Sequence, residues 1–193
     1  MKKASVIIKT TLILFLITSV SALLLAFVND KTAPIIAVNE SINRQNALKK
    51  VINAETFEDI ELTDDLKSIA EKYGCELNGV YSAKDADGKS VGICSILTGS
   101  GYDSGLQIAV GADSEQKASG IEIISSNETP GLGQNASKPA FREQFIGKKA
   151  GIGVVKSGAD DTQINALSGA TLTSNGVTRI VNAALEIAQK EAE

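Results

Sequence analysis

The sequence predicts an α+β protein with a single N-terminal transmembrane helix and a following domain in which helices flank an antiparallel sheet. Three observations support this fold class. Residues 10–28 carry no charge, strand-like segments alternate with turn signals in the middle of the chain, and the C-terminal segment has the apolar spacing of a helix.

The uncharged segment at residues 10–28 is long enough to cross a membrane once. Its 19 residues, at about 1.5 Å each, span roughly the ~30 Å hydrocarbon core. No convincing A-x-A-like cleavage site follows it, which favours an uncleaved anchor over a signal peptide. Lys2, Lys3 and Lys9 precede the segment and Asp30 follows it. The positive-inside rule therefore predicts a cytoplasmic N-terminus and an extracytoplasmic C-terminal part.

The predicted organisation has three parts. Residues 1–30 form the cytoplasmic tip and anchor, residues 31–60 a linker and helix, and residues 61–193 the extracytoplasmic domain. In the linker, the extended Thr32-Ala33-Pro34 predicts a break, and a new helix is expected near Asn39 or Ser41. The apolar stripe of that helix consists of Ile42, Leu48, Val51 and Ile52.

Strand and turn signals dominate the first half of the domain. A helix at residues 64–73 is expected to end at Gly74. Asp87-Gly88 between apolar runs predicts a hairpin, and its aspartates are more typical of a turn than of a calcium loop. Glycine-rich residues 99–105 are expected to form a flexible connection. The predicted strands are residues 79–83, 90–97, 106–110 and 120–124.

Four hydroxyl residues crowd the start of the last predicted helix, although capping needs only one side-chain oxygen. They are Ser168, Thr171, Thr173 and Ser174. Apolar spacing predicts that the helix begins near Thr173 or Ser174, so its unpaired N–H groups would face the preceding loop and favour a phosphate. Two interpretations of these hydroxyl residues therefore remain: they form a phosphate site, or they only cap the helix. The apolar face consists of Val177, Ile180, Val181, Ala184, Leu185 and Ala188.

Composition excludes several classes of chemistry. The chain has no histidine, which excludes Ser-His and Cys-His pairs and histidine-ligated zinc or haem. Its net charge of −4 offers no basic surface for nucleic acid. Cys75 and Cys94 match no cluster or dithiol motif, and they are interpreted as two buried hydrophobes or one disulfide. Gly131-Leu132-Gly133 does not open a dinucleotide site, because Pro139 would interrupt the required helix.

Ser168-Gly169-Ala170-Thr171 resembles the flavinylation motif S/T-G-A-T of the FMN-binding domain family. This family includes the G subunit of the Rnf electron-transport complex and the C subunit of the Na+-translocating NADH:quinone reductase. The resemblance extends in order along nearly the whole chain. Its other segments are the N-terminal span, Asn46-Ala47-Leu48, Gly99-Ser100-Gly101-Tyr102, and Glu128-Thr129-Pro130-Gly131-Leu132-Gly133 ahead of Phe141 and Phe145.

The resemblance implies that FMN is bound covalently through a phosphoester to Thr171. It also implies that a FAD:protein FMN transferase attaches the flavin, because this chain has no histidine to activate a threonine hydroxyl. Thr173 is counted with the site, although its place near the helix start also suits a cap. The remaining implied site residues are Ser168, Gly169, Ala170, Glu128, Thr129, Gly131 and Leu132.

The implied function is one electron-relay step in an Rnf complex, a membrane-bound ferredoxin:NAD+ oxidoreductase that couples electron flow to Na+ or H+ movement. The implied partners are the other membrane and iron–sulfur subunits. Chain length favours the Rnf protein over its quinone-reductase counterpart. The alternatives are that counterpart, a stand-alone extracytoplasmic flavinylated carrier, and a membrane-anchored binding module without a cofactor.

Overall fold

The computed structural model describes residues 2–192, with side chains for residues 6–192. It comprises two compact units, Met1–Ile42 and Asn43–Glu193. The side chains of Lys2 and Lys3, on which the predicted orientation partly rests, lie outside the described residues.

The first helix, α1, runs without interruption over Lys2–Val51 and includes Pro34. The predicted break at residues 32–34 and the new helix near Asn39 or Ser41 are therefore wrong. Proline withdraws a single backbone donor, and a helix with many turns on both sides continues through such a loss. Within the described part of the chain, α1 is the one helix long and apolar enough to cross a membrane.

The second unit is built on a five-stranded antiparallel sheet in the order β1-β2-β3-β4-β5. The four predicted strands are confirmed and are longer than predicted, whereas β1 was missed because its exposed TFEDI sequence lacks an apolar pattern. The strands are β1 Thr56–Ile60, β2 Glu76–Lys84, β3 Ser90–Ser100, β4 Ser104–Asp113 and β5 Ala118–Ser125.

The connection at residues 99–105 differs from the prediction. Strand β3 continues to Ser100 and β4 begins at Ser104, so only a short turn separates them. The N–H of Gly101 donates to the carbonyl of Asp103, which closes the turn. The flexible connection is thus a hairpin whose geometry is held by hydrogen bonds.

Helices and a small second sheet complete the unit. Helix α2 (Asp64–Lys72) follows the Thr63 cap and stops before Gly74, as predicted. Two strands of three residues each form a parallel pair, which is too short to leave a sequence pattern. The other elements are α3 Pro139–Arg142, β6 Gly153–Val155, β7 Gln163–Asn165 and α4 Thr171–Glu191, with 3-10 turns at Gly133–Ser137 and Glu143–Phe145.

Each face of the main sheet carries its own hydrophobic cluster. Helix α4 lies on one face, where its predicted apolar residues are buried together with Leu97 and Ile108. The last residues of α1 lie on the other face, where Leu48 and Val51 pack with Ile96. Residues 43–60, part of the predicted linker and helix, therefore lie within the compact unit Asn43–Glu193, and the predicted three-part organisation stays a prediction.

Two glycines make room for the end of α1. Gly111 of β4 and Gly120 of β5 are cross-strand partners. A methyl group at Gly111 would lie 2.6 Å from the carbonyl oxygen of Val51. That oxygen accepts a hydrogen bond of 2.6 Å from the Ser119 hydroxyl. The close approach of helix backbone to sheet therefore requires the missing side chains.

Both cysteines are free and buried, so the disulfide alternative is wrong. Cys75 belongs to the cluster on the α4 face, and Cys94 belongs to the cluster on the α1 face. The sheet separates the two thiols, and each acts as a small buried hydrophobe. Burial raises the pKa of the Cys94 thiol to about 12.

We predict that Gly111→Ala lowers the free energy of unfolding by about 1–3 kcal/mol, because the added methyl group overlaps the Val51 backbone. Urea denaturation of the full chain in detergent measures this change. Gly153→Ala is the matched control, since its new methyl group would meet only the Gln163 side chain at 3.5 Å. The control should stay within about 0.5 kcal/mol of wild type. Equal stabilities of all three proteins would contradict the proposed packing.

We also predict that iodoacetamide does not label Cys94 in the native chain at about pH 8, because the protonated thiol is a poor nucleophile. The unfolded thiol has a pKa of about 8.5, below the folded value. The contribution of the protonated Cys94 thiol to the free energy of unfolding is therefore complete below about pH 8.5, and it is lost as the pH rises toward about 12. Mass spectrometry of native and urea-unfolded samples measures the labelling, and rapid labelling of the native chain would refute the prediction.

Candidate functional site

A cavity of about 440 Å³ opens where three segments of the second unit meet. These segments are the β3–β4 turn, the loop that follows β5, and the start of α4. Seven of the predicted site residues line this cavity: Glu128, Thr129, Leu132, Gly169, Ala170, Thr171 and Thr173. The volume is within the range of about 300–1,000 Å³ that is usual for ligand pockets.

Thr171 is the first residue of α4 and is exposed. The predicted helix start at Thr173 or Ser174 is therefore two or three residues too late. Ala170 occupies the N-cap position and supplies no side-chain hydrogen bond. The first N–H groups of α4 have no intrahelical acceptor, and they leave a positive helix end beside the Thr171 hydroxyl.

Ser174 shapes the loop that leads into α4. Its buried hydroxyl accepts a hydrogen bond of 2.9 Å from the N–H of Leu167 and donates one of 3.0 Å to the carbonyl of Ala170. Between them, Gly169 adopts a φ of +73°, a conformation that favours glycine. The Ser-Gly-Ala-Thr loop is thereby folded back onto the first turn of the helix.

Thr173 does not cap the helix, which corrects the capping role expected for it. Because α4 begins at Thr171, Thr173 lies inside the first turn and is buried. Its hydroxyl donates a hydrogen bond of 2.7 Å to Oε2 of Glu128. The hydroxyl thus connects α4 to the loop after β5.

Glu128 joins the three segments around the cavity. Its side chain is only 4% exposed. Oε1 accepts hydrogen bonds from the N–H groups of Tyr102 at 2.8 Å and Asp103 at 3.3 Å, and Oε2 accepts the bond from Thr173. A side chain at Gly101 or Gly133 would collide with this carboxylate. The glycines therefore allow the backbone to close around Glu128.

Two predicted site residues do not line the cavity. Ser168 is exposed just before the lining part of its loop. Gly131 is also exposed, with a φ of +80°, and its carbonyl accepts a hydrogen bond of 2.7 Å from the Asn135 amide. These residues lie in the two loops that border the cavity.

Sequence reasoning missed three lining residues, namely Tyr102, Gly133 and Leu172. Tyr102 and Gly133 stand in segments that carried the family resemblance, so a signal for them existed. Leu172 offered none, because an apolar residue at a helix start is more often part of a core.

The cavity combines a helix N-terminus with an apolar rim. Tyr102 is 73% exposed, Leu172 60% and Leu132 45%. Such a rim suits a flat aromatic group, and the free N–H groups of α4 suit a phosphate. The N–H groups at the start of α4 and the apolar rim therefore fit the phosphate and the ring system of FMN. Across residues 2–192, no group of three or more His, Cys, Asp or Glu side chains is arranged to hold a metal ion.

Comparisons with known proteins agree with this geometry. The family model described as the FMN-binding domain matches residues 101–186, which include the whole cavity lining. A second family model, described as the RnfG N-terminal region, matches residues 1–51. The crystal structure of Shewanella oneidensis NqrC superimposes with a TM-score of 0.53 at 23% identity, covering 74% of this chain and 71% of that chain, and it supports the fold.

Full-length relatives extend the similarity. The G subunit of the Na+-translocating ferredoxin:NAD+ oxidoreductase complex of Acetobacterium woodii is 37% identical over 200 residues, covering 95% of this chain and 92% of the relative. The G subunit of the proton-translocating ferredoxin:NAD+ oxidoreductase complex of Clostridium ljungdahlii is 31% identical over 169 residues, covering 86% and 83%. The chain therefore belongs to the G-subunit family of ion-translocating ferredoxin:NAD+ oxidoreductase complexes.

Proposed function

We propose that this chain is the electron-relay G subunit of a membrane-bound, ion-translocating ferredoxin:NAD+ oxidoreductase complex and carries FMN joined through a phosphoester to Thr171. The observation that carries the proposal is the exposed Thr171 hydroxyl at an uncapped helix start, on the wall of a cavity within the FMN-binding domain. The match of residues 1–51 to the RnfG N-terminal region favours this assignment over the C subunit of the quinone reductase.

The residues around Thr171 explain where the cofactor would be held. The N–H groups at the start of α4 would bind its phosphate, while Gly169 and Ala170 leave space beside it. Tyr102, Leu132 and Leu172 would contact the ring system. When bound, FMN supplies the one- and two-electron redox chemistry that these side chains lack.

A covalent bond suits this shallow site. A helix terminus contributes only about 0.3–1 kcal/mol to the binding of an anion. The apolar rim side chains are largely exposed, so they exclude little water. A phosphoester to Thr171 would keep the flavin in place where affinity alone is weak, and it would prevent loss of the cofactor outside the cytoplasm.

Attachment requires a second enzyme. The Thr171 hydroxyl is a weak nucleophile, and the chain contains no histidine to deprotonate it. In the proposed transfer, Thr171 Oγ1 forms a bond to the FMN-side phosphorus of FAD while the pyrophosphate bond breaks and AMP leaves. A base on a FAD:protein FMN transferase accepts the hydroxyl proton. The exposed position of Thr171 allows such an enzyme to reach it.

The chain is proposed to work on the extracytoplasmic side of the membrane, with the other membrane and iron–sulfur subunits of the complex as partners. The orientation rests on Lys2, Lys3 and Lys9 before the apolar span and Asp30 after it. The two relatives are named for different ions, so the proposal includes ion translocation without a choice between Na+ and H+.

We predict that Thr171→Ala yields a folded, membrane-inserted chain without covalent flavin, because the change removes the acceptor oxygen and little else. Its stability should remain within about 0.5 kcal/mol of wild type, since Thr171 is exposed and forms no cap. In-gel flavin fluorescence after denaturing electrophoresis and peptide mass spectrometry measure the modification.

Thr171→Ser is the matched control for this experiment, because it keeps a hydroxyl at the same helical position. The control should retain covalent FMN. Flavin attached to Thr173, or flavin retained in Thr171→Ala, would show that Thr171 is not the attachment residue. A wild-type chain without any covalent flavin, isolated from cells that contain the transferase, would contradict the proposed phosphoester. Absence of noncovalent flavin as well would favour a cofactor-free binding module.

The proposed orientation makes a separate prediction. A C-terminal reporter that is active only in the cytoplasm should be silent in intact cells, whereas one that requires export should be active. Replacing Lys2, Lys3 and Lys9 with glutamine should increase the fraction of chains in the opposite orientation. Activity of the cytoplasmic reporter on the wild-type chain would refute the orientation and, with it, flavinylation by an exported transferase.

A further inference from the structure

The buried carboxylate of Glu128 lies on the wall of a cavity proposed to hold an electron carrier, where a negative charge would oppose reduction. Its side chain is 4% exposed and lies on the cavity wall. All three of its hydrogen bonds are donated to it, by the N–H groups of Tyr102 and Asp103 and by the Thr173 hydroxyl. An ionised carboxylate accepts hydrogen bonds at both oxygens, and these three donors are available to it.

Among the described side chains Glu128 has no salt-bridge partner, and the guanidinium of Arg179 donates instead to the Ser100 carbonyl at 2.9 Å. Within residues 6–192, none of the ion pairs formed by lysine or arginine includes this residue. Its partners are neutral dipoles, which stabilise the anion without cancelling its field. A negative charge therefore remains beside the cavity.

The hydrogen bonds alone do not require that charge. A glutamine would present one oxygen to the N–H groups of Tyr102 and Asp103 and an amide to the Thr173 hydroxyl, which can also accept a hydrogen bond. Burial of a carboxylate is costly compared with burial of an amide. A buried carboxylate on a cavity wall, where an amide would be less costly, is therefore a candidate functional group.

We propose that the carboxylate of Glu128 lowers the reduction potential of the flavin held in this cavity. The inference rests on the proposed function, since it requires FMN at Thr171. Reduction of the flavin by two electrons with uptake of one proton leaves one negative charge on the reduced ring, and a fixed anion nearby opposes that change. Glu128 is therefore a tuning residue that acts through its field, in addition to joining the three segments around the cavity.

The size of the cavity makes the effect measurable. A space of about 440 Å³ is only about 10 Å across, so any group inside it lies near Glu128. At that distance and an effective dielectric constant of about 20, one charge changes a reduction equilibrium by about tenfold. Because Glu128 is buried, salt screens its charge less than the charge of an exposed side chain such as Asp103.

The test is Glu128→Gln in the flavinylated full chain, purified in detergent after expression with the transferase. Spectroelectrochemical titration should show a higher midpoint potential than wild type, equivalent to about a tenfold shift of the equilibrium toward the reduced flavin. The shift should change little between low and high salt. An unchanged or lower potential in the loaded variant overturns the inference.

Asp103→Asn is the matched control. It removes one negative charge from the same turn, but this carboxylate is exposed and does not line the cavity. Its effect on the potential should be several-fold smaller and should disappear at high salt. Equal, salt-insensitive shifts in the two variants would show that the location of Glu128 is unimportant and would overturn the inference.

Thr173→Val separates the charge from the positioning role. The variant keeps the Glu128 carboxylate and removes the Thr173 hydroxyl, whose dipole partly offsets the field of that carboxylate. The midpoint potential of the flavin should therefore fall below that of wild type. If both variants acted by loosening the cavity, their potentials would move in the same direction. A Thr173→Val potential at or above wild type overturns the inference, even where Glu128→Gln fails to load flavin. If the wild-type chain carries no flavin, the proposed function fails together with this inference. The potentials of the variants test only the role of Glu128.

Discussion

Three hydrogen bonds to one buried carboxylate hold the site together. Glu128 connects the β3–β4 turn, its own loop and the first turn of α4. These segments are far apart in the sequence, and no other side chain bonds all three among the described residues. The carboxylate is accommodated because Gly101 and Gly133 allow close approach of their backbones. These three donors satisfy a carboxylate that would otherwise be costly to bury.

The rest of the unit provides a rigid support for this junction. Strands β3 and β4 end at the turn that Glu128 holds, and α4 is buried along most of its length against the same sheet. On the other face, Gly111 and Gly120 allow the backbone of α1 to lie close to the strands. Helix packing on both faces fixes the strands, so the loops that line the cavity extend from a scaffold with little freedom.

The hydroxyl residues at the start of α4 have different roles. Thr173 binds Glu128, and Ser174 folds the preceding loop onto the helix. Thr171 remains exposed at the helix start, which no side chain caps among the described residues. An unused hydroxyl beside free N–H groups is a suitable acceptor for a phosphoryl group. Because its neighbours take structural roles, Thr171 is left exposed for the proposed modification.

The sequence by itself determined the long apolar N-terminal helix, four of the five strands of the main sheet, α2 and the buried face of α4, because apolar periodicity and turn residues are local signals. Most of the cavity lining was predicted through the family resemblance. Tertiary structure alone decided that the exposed edge strand β1 joins the sheet, and that Cys75 and Cys94 lie on opposite faces. It also decided that α4 begins at Thr171 and that Thr173 binds Glu128 instead of capping the helix. Each of these outcomes depends on partners distant in the chain, and a pattern of neighbouring residues carries no information about such partners.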